Sequence, residues 1–427
     1  TYVLDEPSIG LHPRDNERLI ATLRSLQGRG NTVLVVEHDE ATIREADHII
    51  ELGPGSGAHG GDMVYHGSFE NLIKHSETLT AKYMRGDLSV PIPDERREPK
   101  GWLTLRGVTT NNLKDIDCPI PLGTLTCVTG VSGSGKTTMV LESLIPGLEA
   151  LCYGKPMPSH VSSIQAEGIN HVKLIDATPI GANVRSTVAT YANVHDALRR
   201  TYARTADAKE LGLKAGDFSY NTGSLRCPVC DGTGTISLDV QFLPDVDIPC
   251  PECRGSRYRK QANQVRYKNK QGEERSLPEL MNMDVNEAVV FCQNLNSVRP
   301  KLETLQDLGL GYLTLGEETP SLSGGEAQRL KLASEMGREQ ADSVFVFDEP
   351  TIGLHPRDVE TLLQVFDALI AKGATVVVIE HDLDVIRAAD CIIDMGPGGG
   401  EEGGRIVVCG TQDDVRKCPE SVTGKFI

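Results

Sequence analysis

Short apolar runs separated by polar, helix-forming stretches repeat along most of this 427-residue chain. Over residues 1–87 the runs YVL, TVLVV and HIIEL alternate with helical stretches such as 14–27. Runs of this length suit strands buried in a parallel sheet, so the segment predicts the closing strands and helices of an α/β layer. Residues 88–100, LSVPIPDERREPK, hold three prolines and a charge run and predict a linker that stays out of any core. A second α/β unit, 101–427, opens with WLTLRGV and LTCVTG, followed by the helical run MVLESLI. A long insertion occupies 139–315, and from 321 to 410 the strand and helix pattern resumes with the apolar runs SVFVFDE and ATVVVIE.

The resumption is a repetition. DEPSIGLHPRD at 5–15 returns as DEPTIGLHPRD at 348–358, and VEHD at 36–39 returns as IEHD at 379–382. Asp5, His12, His38, Asp47 and Pro54 recur at a constant offset of 343 as Asp348, His355, His381, Asp390 and Pro397. Only the second copy is preceded by GVSGSGKTT at 130–138 and LSGGEAQR at 322–329, so the chain enters its first copy partway through. Thr1 inside a strand pattern reads as a fragment, or as the downstream piece of a larger product.

Composition narrows the class. With 39% hydrophobic and 24% charged residues the chain is an ordinary globular protein with room for two or three domains. No apolar run approaches the roughly 18 residues of a membrane span, and the N-terminus lacks a secretory pattern, which predicts a cytosolic protein without membrane partners. A net charge of −17 argues against whole-surface attraction to nucleic acid and leaves only a local basic patch for that role. Of eleven cysteines, four form one tight set; Cys118, Cys127, Cys152, Cys292, Cys391, Cys409 and Cys418 are scattered and read as reduced thiols.

GVSGSGKT satisfies G-x-x-x-x-G-K-[ST] with an apolar strand before it and a helical run after it. Gly130, Gly133 and Gly135 let the backbone wrap a phosphate, with Ser132, Ser134 and Thr138 in the same loop. Lys136 then neutralises the β and γ phosphates, and Thr137 offers its hydroxyl to Mg²⁺. SVFVFDE ends a buried strand in two carboxylates. Asp348 is placed to hold Mg²⁺, Glu349 to act as general base on the attacking water, and His381 to contact the γ phosphate. Asp5, Glu6 and His38 are their first-copy remnants. In LSGGEAQR, Ser323, Gly324 and Gly325 precede a helix, and their N–H groups again face an anion.

Cys227, Cys230, Cys250 and Cys253 form C-x₂-C-x₁₉-C-x₂-C, each pair followed by a nearby glycine. Two such knuckles predict one structural, tetrahedral Zn²⁺ with no open position for catalysis. Beyond them Arg254, Arg257, Arg259, Lys260, Arg266, Lys268 and Lys270 gather with Tyr258 and Tyr267 and little acid nearby in sequence. This cluster predicts either a track for nucleic-acid phosphates or a solvated hairpin.

The phosphate loop, the SGG segment and the DEP strand end together resemble the ATP-binding-cassette superfamily. A cassette carrying a four-cysteine module between its loop and its SGG segment resembles UvrA, the damage-sensing ATPase family of bacterial nucleotide excision repair. NNLKDID at 111–117, PIG at 179–181, ATY at 189–191, QFLPDV at 241–246, LGLGYLTLG at 308–316 and IEHDLDVI carry the same resemblance. It implies an ABC-type ATPase fold, with 1–87 as the end of a first cassette and 101–427 as a second. It also implies ATP-dependent binding of damaged double-stranded DNA as a homodimer, and delivery of a UvrB-like helicase by the full-length protein. In the superfamily the SGG segment of one cassette closes on the loop of another, so the only SGG segment here implies pairing of two molecules. Ala177 departs from the pattern: the family has a glutamine there that senses Mg²⁺ and the attacking water, which bears on coupled hydrolysis. A non-hydrolysing DNA-binding remnant and a UvrA-like drug self-resistance paralogue stay open as alternatives. A transporter ATPase subunit is disfavoured by the four-cysteine module and the long insertion.

Overall fold

A computed structural model describes residues 1–55, 60–181, 183–238, 246–336 and 340–427. Most of QFLPDV lies outside them. The first copy supplies two separate strand pairs. β1 (Tyr2–Asp5) runs parallel to β2 (Val33–Val36), joined by the helix Pro13–Gly28, and β3 (Ile49–Gly53) runs antiparallel to β4 (Asp62–Gly67). The helix starts where His12 caps it and Pro13 presets its first turn.

Segment 88–100 adopts no regular structure, yet it is not a loose tether. Arg97 pairs with Asp390 at 2.9 Å and with Asp367 at 2.6 Å, and Arg96 donates to the carbonyls of Ala388 and Arg387. The charge run docks on the second copy because those carbonyls and Asp390 need donors.

β5 (Trp102–Val108), β6 (Ile116–Pro121) and β8 (Val161–Ala166) form a three-stranded antiparallel sheet in the order β6-β5-β8. β7 (Leu125–Gly130) and β9 (His171–Ile175) enter the main sheet. The chain then builds a second compact unit, Thr178–Arg338, before returning. That unit contains the hairpins β10 (Thr235–Leu238) with β11 (Val246–Pro249) and β12 (Arg266–Lys268) with β13 (Glu274–Ser276), amid short helices. Its span, Thr178–Arg338, differs from the insertion read from the sequence at 139–315. Residues up to 177 belong with the cassette, and the SGG segment with its helix Gly324–Met336 belongs with the inserted unit.

On its return the chain adds β14 (Ser343–Asp348), β15 (Thr375–Ile379), β16 (Cys391–Gly396) and β17 (Arg405–Gly410). The main sheet is ordered β17-β16-β7-β15-β14-β9, parallel except for the β16–β17 pair. Every residue of β7, β15 and β16 is buried, as continuous apolar runs in a parallel sheet require. One face packs on the small sheet, where Leu103, Leu105 and Ile120 meet Val128, Val346, Val377 and Ile393. Each such side chain contributes roughly 1.5–3 kcal/mol on burial. This core fixes the carboxyl ends of β7, β14 and β15 side by side.

Candidate functional site

The phosphate loop leaves β7 through Gly130, Gly133 and Gly135, all in the positive-φ region that side chains disfavour. Gly135 starts the helix Lys136–Met139, which continues through one π turn, Val140–Leu144, into Ile145–Tyr153. The buried Lys136 ammonium donates to the carbonyls of Gly130 and Val131 at 2.9 and 3.1 Å. Burial lowers its pKa to about 8 against the pull of Glu349 and Asp394. Thr137 is exposed, so its hydroxyl can reach a cation, whereas Thr138 is buried and accepts from Asn111.

Asp348 and Glu349 stand at the end of β14. Burial, then the neighbouring Asp176 at the end of β9, raises the Asp348 pKa, and burial followed by Asp348 raises that of Glu349. Crowded carboxylates of this kind suit a divalent cation, and a raised Glu349 suits a proton acceptor. Glu349 has φ 45°, held by its N–H to the carbonyl of Ile379, a backbone cost of order 1–3 kcal/mol kept at a working position. His381 Nε2 lies 3.8 Å from Glu349 Oε1, and burial drives its pKa well down, so it is neutral.

Glu380 was not among the residues singled out from the sequence, yet it locks this corner. One carboxylate oxygen accepts from the N–H and hydroxyl of Thr351 at 2.8 and 2.7 Å, the other from the N–H groups of His381 and Asp382. It thereby ties the loop after β14 to the loop after β15. Its signal was present in the sequence as the glutamate shared by VEHD and IEHD. Glu37 repeats the arrangement, accepting from Ser8 at 2.8 Å and from His38 at 3.1 Å.

The first-copy remnant is part of this site. Asp15 accepts from the N–H of Ser132 in the phosphate loop at 3.3 Å, and the ring of His12 sits edge-on to His381 at 5.9 Å. A Cβ on Gly10 would meet Glu349 at 2.8 Å, and one on Gly353 would meet Glu6 at 3.3 Å. His12 contacts Thr423 at 3.1 Å, and its counterpart His355 contacts Thr80 at 3.5 Å. The Gly10–Glu349 and His12–Thr423 contacts thus recur, at an offset of 343, as Gly353–Glu6 and His355–Thr80, so the two copies face each other across a pseudo-two-fold axis, as in an isologous dimer. Asp5 ends β1, Glu6 repeats the positive φ at 41°, and His38 lies 3.5 Å from Glu6.

In the inserted unit, the Sγ atoms of Cys227, Cys230, Cys250 and Cys253 all lie within 4.8 Å of one another and are buried. The Sγ separations of 3.9 Å for Cys227–Cys250 and 3.6 Å for Cys230–Cys253 bracket the ~3.8 Å of thiolates around a tetrahedral zinc. The N–H of Gly234 points at Cys230 Sγ at 3.3 Å. Gly232 and Gly255 take positive φ after each knuckle, and so do Asp231 and Arg254 just before them. The four ligands fit a zinc ion. Ser323, in the same unit, caps its helix by exchanging hydrogen bonds with Glu326, while Gly325 is buried.

Comparison with known proteins follows the same lines. The chain matches no family model. It is 46% identical over its full length to UvrABC system protein A of Clostridium perfringens and 47% identical to that of Aquifex aeolicus. It covers 45% and 46% of those proteins, so it spans about half the length of the curated relatives it matches. UvrA2 from Deinococcus radiodurans superposes with a TM-score of 0.91 at 42% identity, covering 100% of this chain and 51% of that one. The chain belongs to the UvrA family. A structure titled RNase-L Inhibitor, at 17% identity and TM-score 0.52, shares the fold.

Within this UvrA-type fold the basic segment differs from its sequence expectation. Arg257 is buried, pairs with Glu318 at 2.9 Å, donates to the carbonyls of Val184 and Gly232 and stacks over Tyr220. It is a strut of the four-cysteine unit, which corrects its reading as a nucleic-acid contact. Lys260 pairs with Glu252, Arg266 with Glu279 and Lys268 with Glu274, while Arg259 donates to the carbonyl of Arg226. Three of these acids, Glu252, Glu274 and Glu279, lie within 13 residues of the cations they pair with, so the expectation of little acid nearby is corrected, and only Glu318 reaches the cluster from farther along the chain. Arg254 and Lys270 are exposed with no ion pair among the described residues. None of the eleven cysteines is in a disulfide, and no helix among the described residues is long and apolar enough to cross a membrane.

Proposed function

We propose that this chain carries the nucleotide-hydrolysing cassette of a UvrA-type protein that recognises damaged duplex DNA for nucleotide excision repair. The observation that carries the reading is the convergence of Lys136, Asp348, Glu349 and His381 at adjacent strand ends, with the first copy's Asp15 and His12 against them.

The loop N–H groups and Lys136 bind the phosphates of ATP. Glu349 takes the proton of the attacking water, and neutral His381 donates to the γ phosphate. Mg²⁺, when bound, is held by Thr137 and Asp348 and screens the developing charge. Ala177 brings no amide to this cluster, so the water is oriented by Glu349 and His381 in this reading. Zinc on the four cysteines holds the inserted unit together and takes no part in hydrolysis. Metal analysis should give one zinc per chain, and Cys250→Ala with Cys253→Ala should abolish it.

DNA contact falls to exposed cations of the inserted unit. Arg254 and Lys270 are the candidates left exposed and unpaired from the basic segment, and binding should weaken steeply with salt. In the full-length protein a UvrB-like helicase is the downstream partner. Ser323, Gly324 and Gly325 close on the phosphate loop of another molecule, so two chains pair. ATP turnover with and without damaged duplex tests the reading. Turnover should rise with protein concentration, and Lys136→Ala mixed with Ser323→Arg should regain activity through one intact composite site. Brisk, concentration-independent turnover by a monomer overturns the pairing; absence of turnover in concentrated protein with damaged duplex favours a non-hydrolysing DNA-binding protein.

A further inference from the structure

A phosphate-binding loop works only if its N–H groups point inward, which obliges the carbonyls of the same peptides to point out and to find donors elsewhere. For the carbonyls of Gly133 and Ser134 the donors come from one other stretch of backbone and one side chain. The segment 397–404, PGGGEEGG, leaves β16 and folds back over the loop. Gly400 N–H donates to the carbonyl of Gly133 at 3.0 Å, and Gly404 N–H donates to that of Ser134 at 2.9 Å. Asn112 Nδ2 donates to Gly133 O at 3.0 Å and to Gly400 O at 3.1 Å, joining the two segments. Lys114 N–H in turn binds the carbonyl of Gly404 at 3.0 Å.

The glycines are set by contact. A Cβ on Gly399 would lie 2.5 Å from the carbonyl of Ser132, one on Gly403 would lie 2.6 Å from the carbonyl of Gly398, and one on Gly404 would overlap the backbone of Asn112. Only a bare backbone can approach the loop this closely. The first copy repeats the pattern as GPGSGAHGG at 53–61, at the same offset of 343, so the repeated unit included it.

We propose that Asn112 and segment 398–404 are positioning elements for the nucleotide, holding the carbonyls of Gly133 and Ser134 turned away so that the loop is a preformed anion nest. Without them either peptide can rotate and place a carbonyl against phosphate, and the ordering cost is taken from binding. The inference rests on the reading of 130–138 as an ATP site. The two are separated by measuring Mg-ATP and inorganic pyrophosphate affinity by calorimetry on the intact chain as wild type, Lys136→Ala, Asn112→Ala, Asn112→Gln and Gly404→Ala.

The account expects Asn112→Ala to weaken ATP and pyrophosphate by the same factor, about tenfold, with the melting midpoint moved little and with KM raised while kcat holds. Asn112→Gln, which keeps the amide, should recover part of the loss. Gly404→Ala should lose more, and its folding is checked by zinc content and melting. Unchanged affinities in a folded Asn112→Ala protein overturn the brace. A wild type that fails to bind ATP, or a Lys136→Ala variant that binds it normally, overturns the site reading itself.

Discussion

The two copies of the repeated unit share their motif residues and differ in what surrounds them. In both, the glutamate after the strand takes a positive φ, and the EHD glutamate ties the same two loops. Local sequence is enough for that geometry. Burial is another matter. β15 lies between β14 and β7 and is wholly buried, whereas its counterpart β2 pairs, among the described residues, with β1 alone and alternates half-buried with exposed. His381 is 8% exposed and His38 is 42% exposed at the side chain. The helix Pro356–Ala371 buries seven apolar side chains, while Pro13–Gly28 buries only Asn16. Val3, Leu34, Ile50 and Leu52 stand exposed on the first copy, which among the described residues has no strand in the place that β7 takes between β15 and β16. Among the described residues the same motif is therefore desolvated in one setting and exposed in the other. What the first copy does supply is a wall: Gly10 against Glu349, His12 against His381 and Asp15 on the phosphate loop.

The sharpest way to break this contrast is to make the same change in both copies. Glu349→Gln should lower ATP turnover by about a hundredfold or more, as expected for loss of a general base. Glu6→Gln should leave it within about twofold. Phosphate release under saturating ATP checks both, and equal losses would mean that the copies work alike.

Next in size is an effect of pH. His12 accepts from Arg14 N–H at Nδ1, so Nε2 carries the proton toward Thr423, which donates to Asp394. Burial lowers its pKa to about 4, with Asp15 opposing and Lys136 and Arg14 assisting. The unfolded histidine protonates near 6.5 and the folded one does not, so stability is lost as pH falls from about 6.5 to about 4, by about 3 kcal/mol in all. His12→Gln should flatten this acid limb in denaturant titrations more than His355→Gln does.

The smallest effect concerns Asp15. Its carboxylate lies against the phosphate loop, so Asp15→Asn should tighten ATP binding severalfold, while the counterpart change Asp358→Asn should not. Unaltered affinity in Asp15→Asn would remove the first copy from the electrostatics of the site.

Much of this was legible in the chain itself. The phosphate loop, the DEP strand end and the cysteine knuckles each bind one local geometry to one local string, and the fold followed from the repeat and the family resemblance. Three things were not legible. Arg257 reads as a surface cation until Tyr220 and Glu318, far away in sequence, close over it. Arg96 and Arg97 read as linker charges until Asp390 and the helix-end carbonyls claim them. The contact of Asp15 with Ser132 joins residues from different copies, and no spacing within either copy encodes it.

The central claim is one working nucleotide site per chain, located in the second copy. Calorimetric titration of Mg-ATP into the purified chain tests it most directly. The account predicts one site per chain, and none when Lys136→Ala is titrated. Two sites per chain, or a site that survives Lys136→Ala, would contradict it.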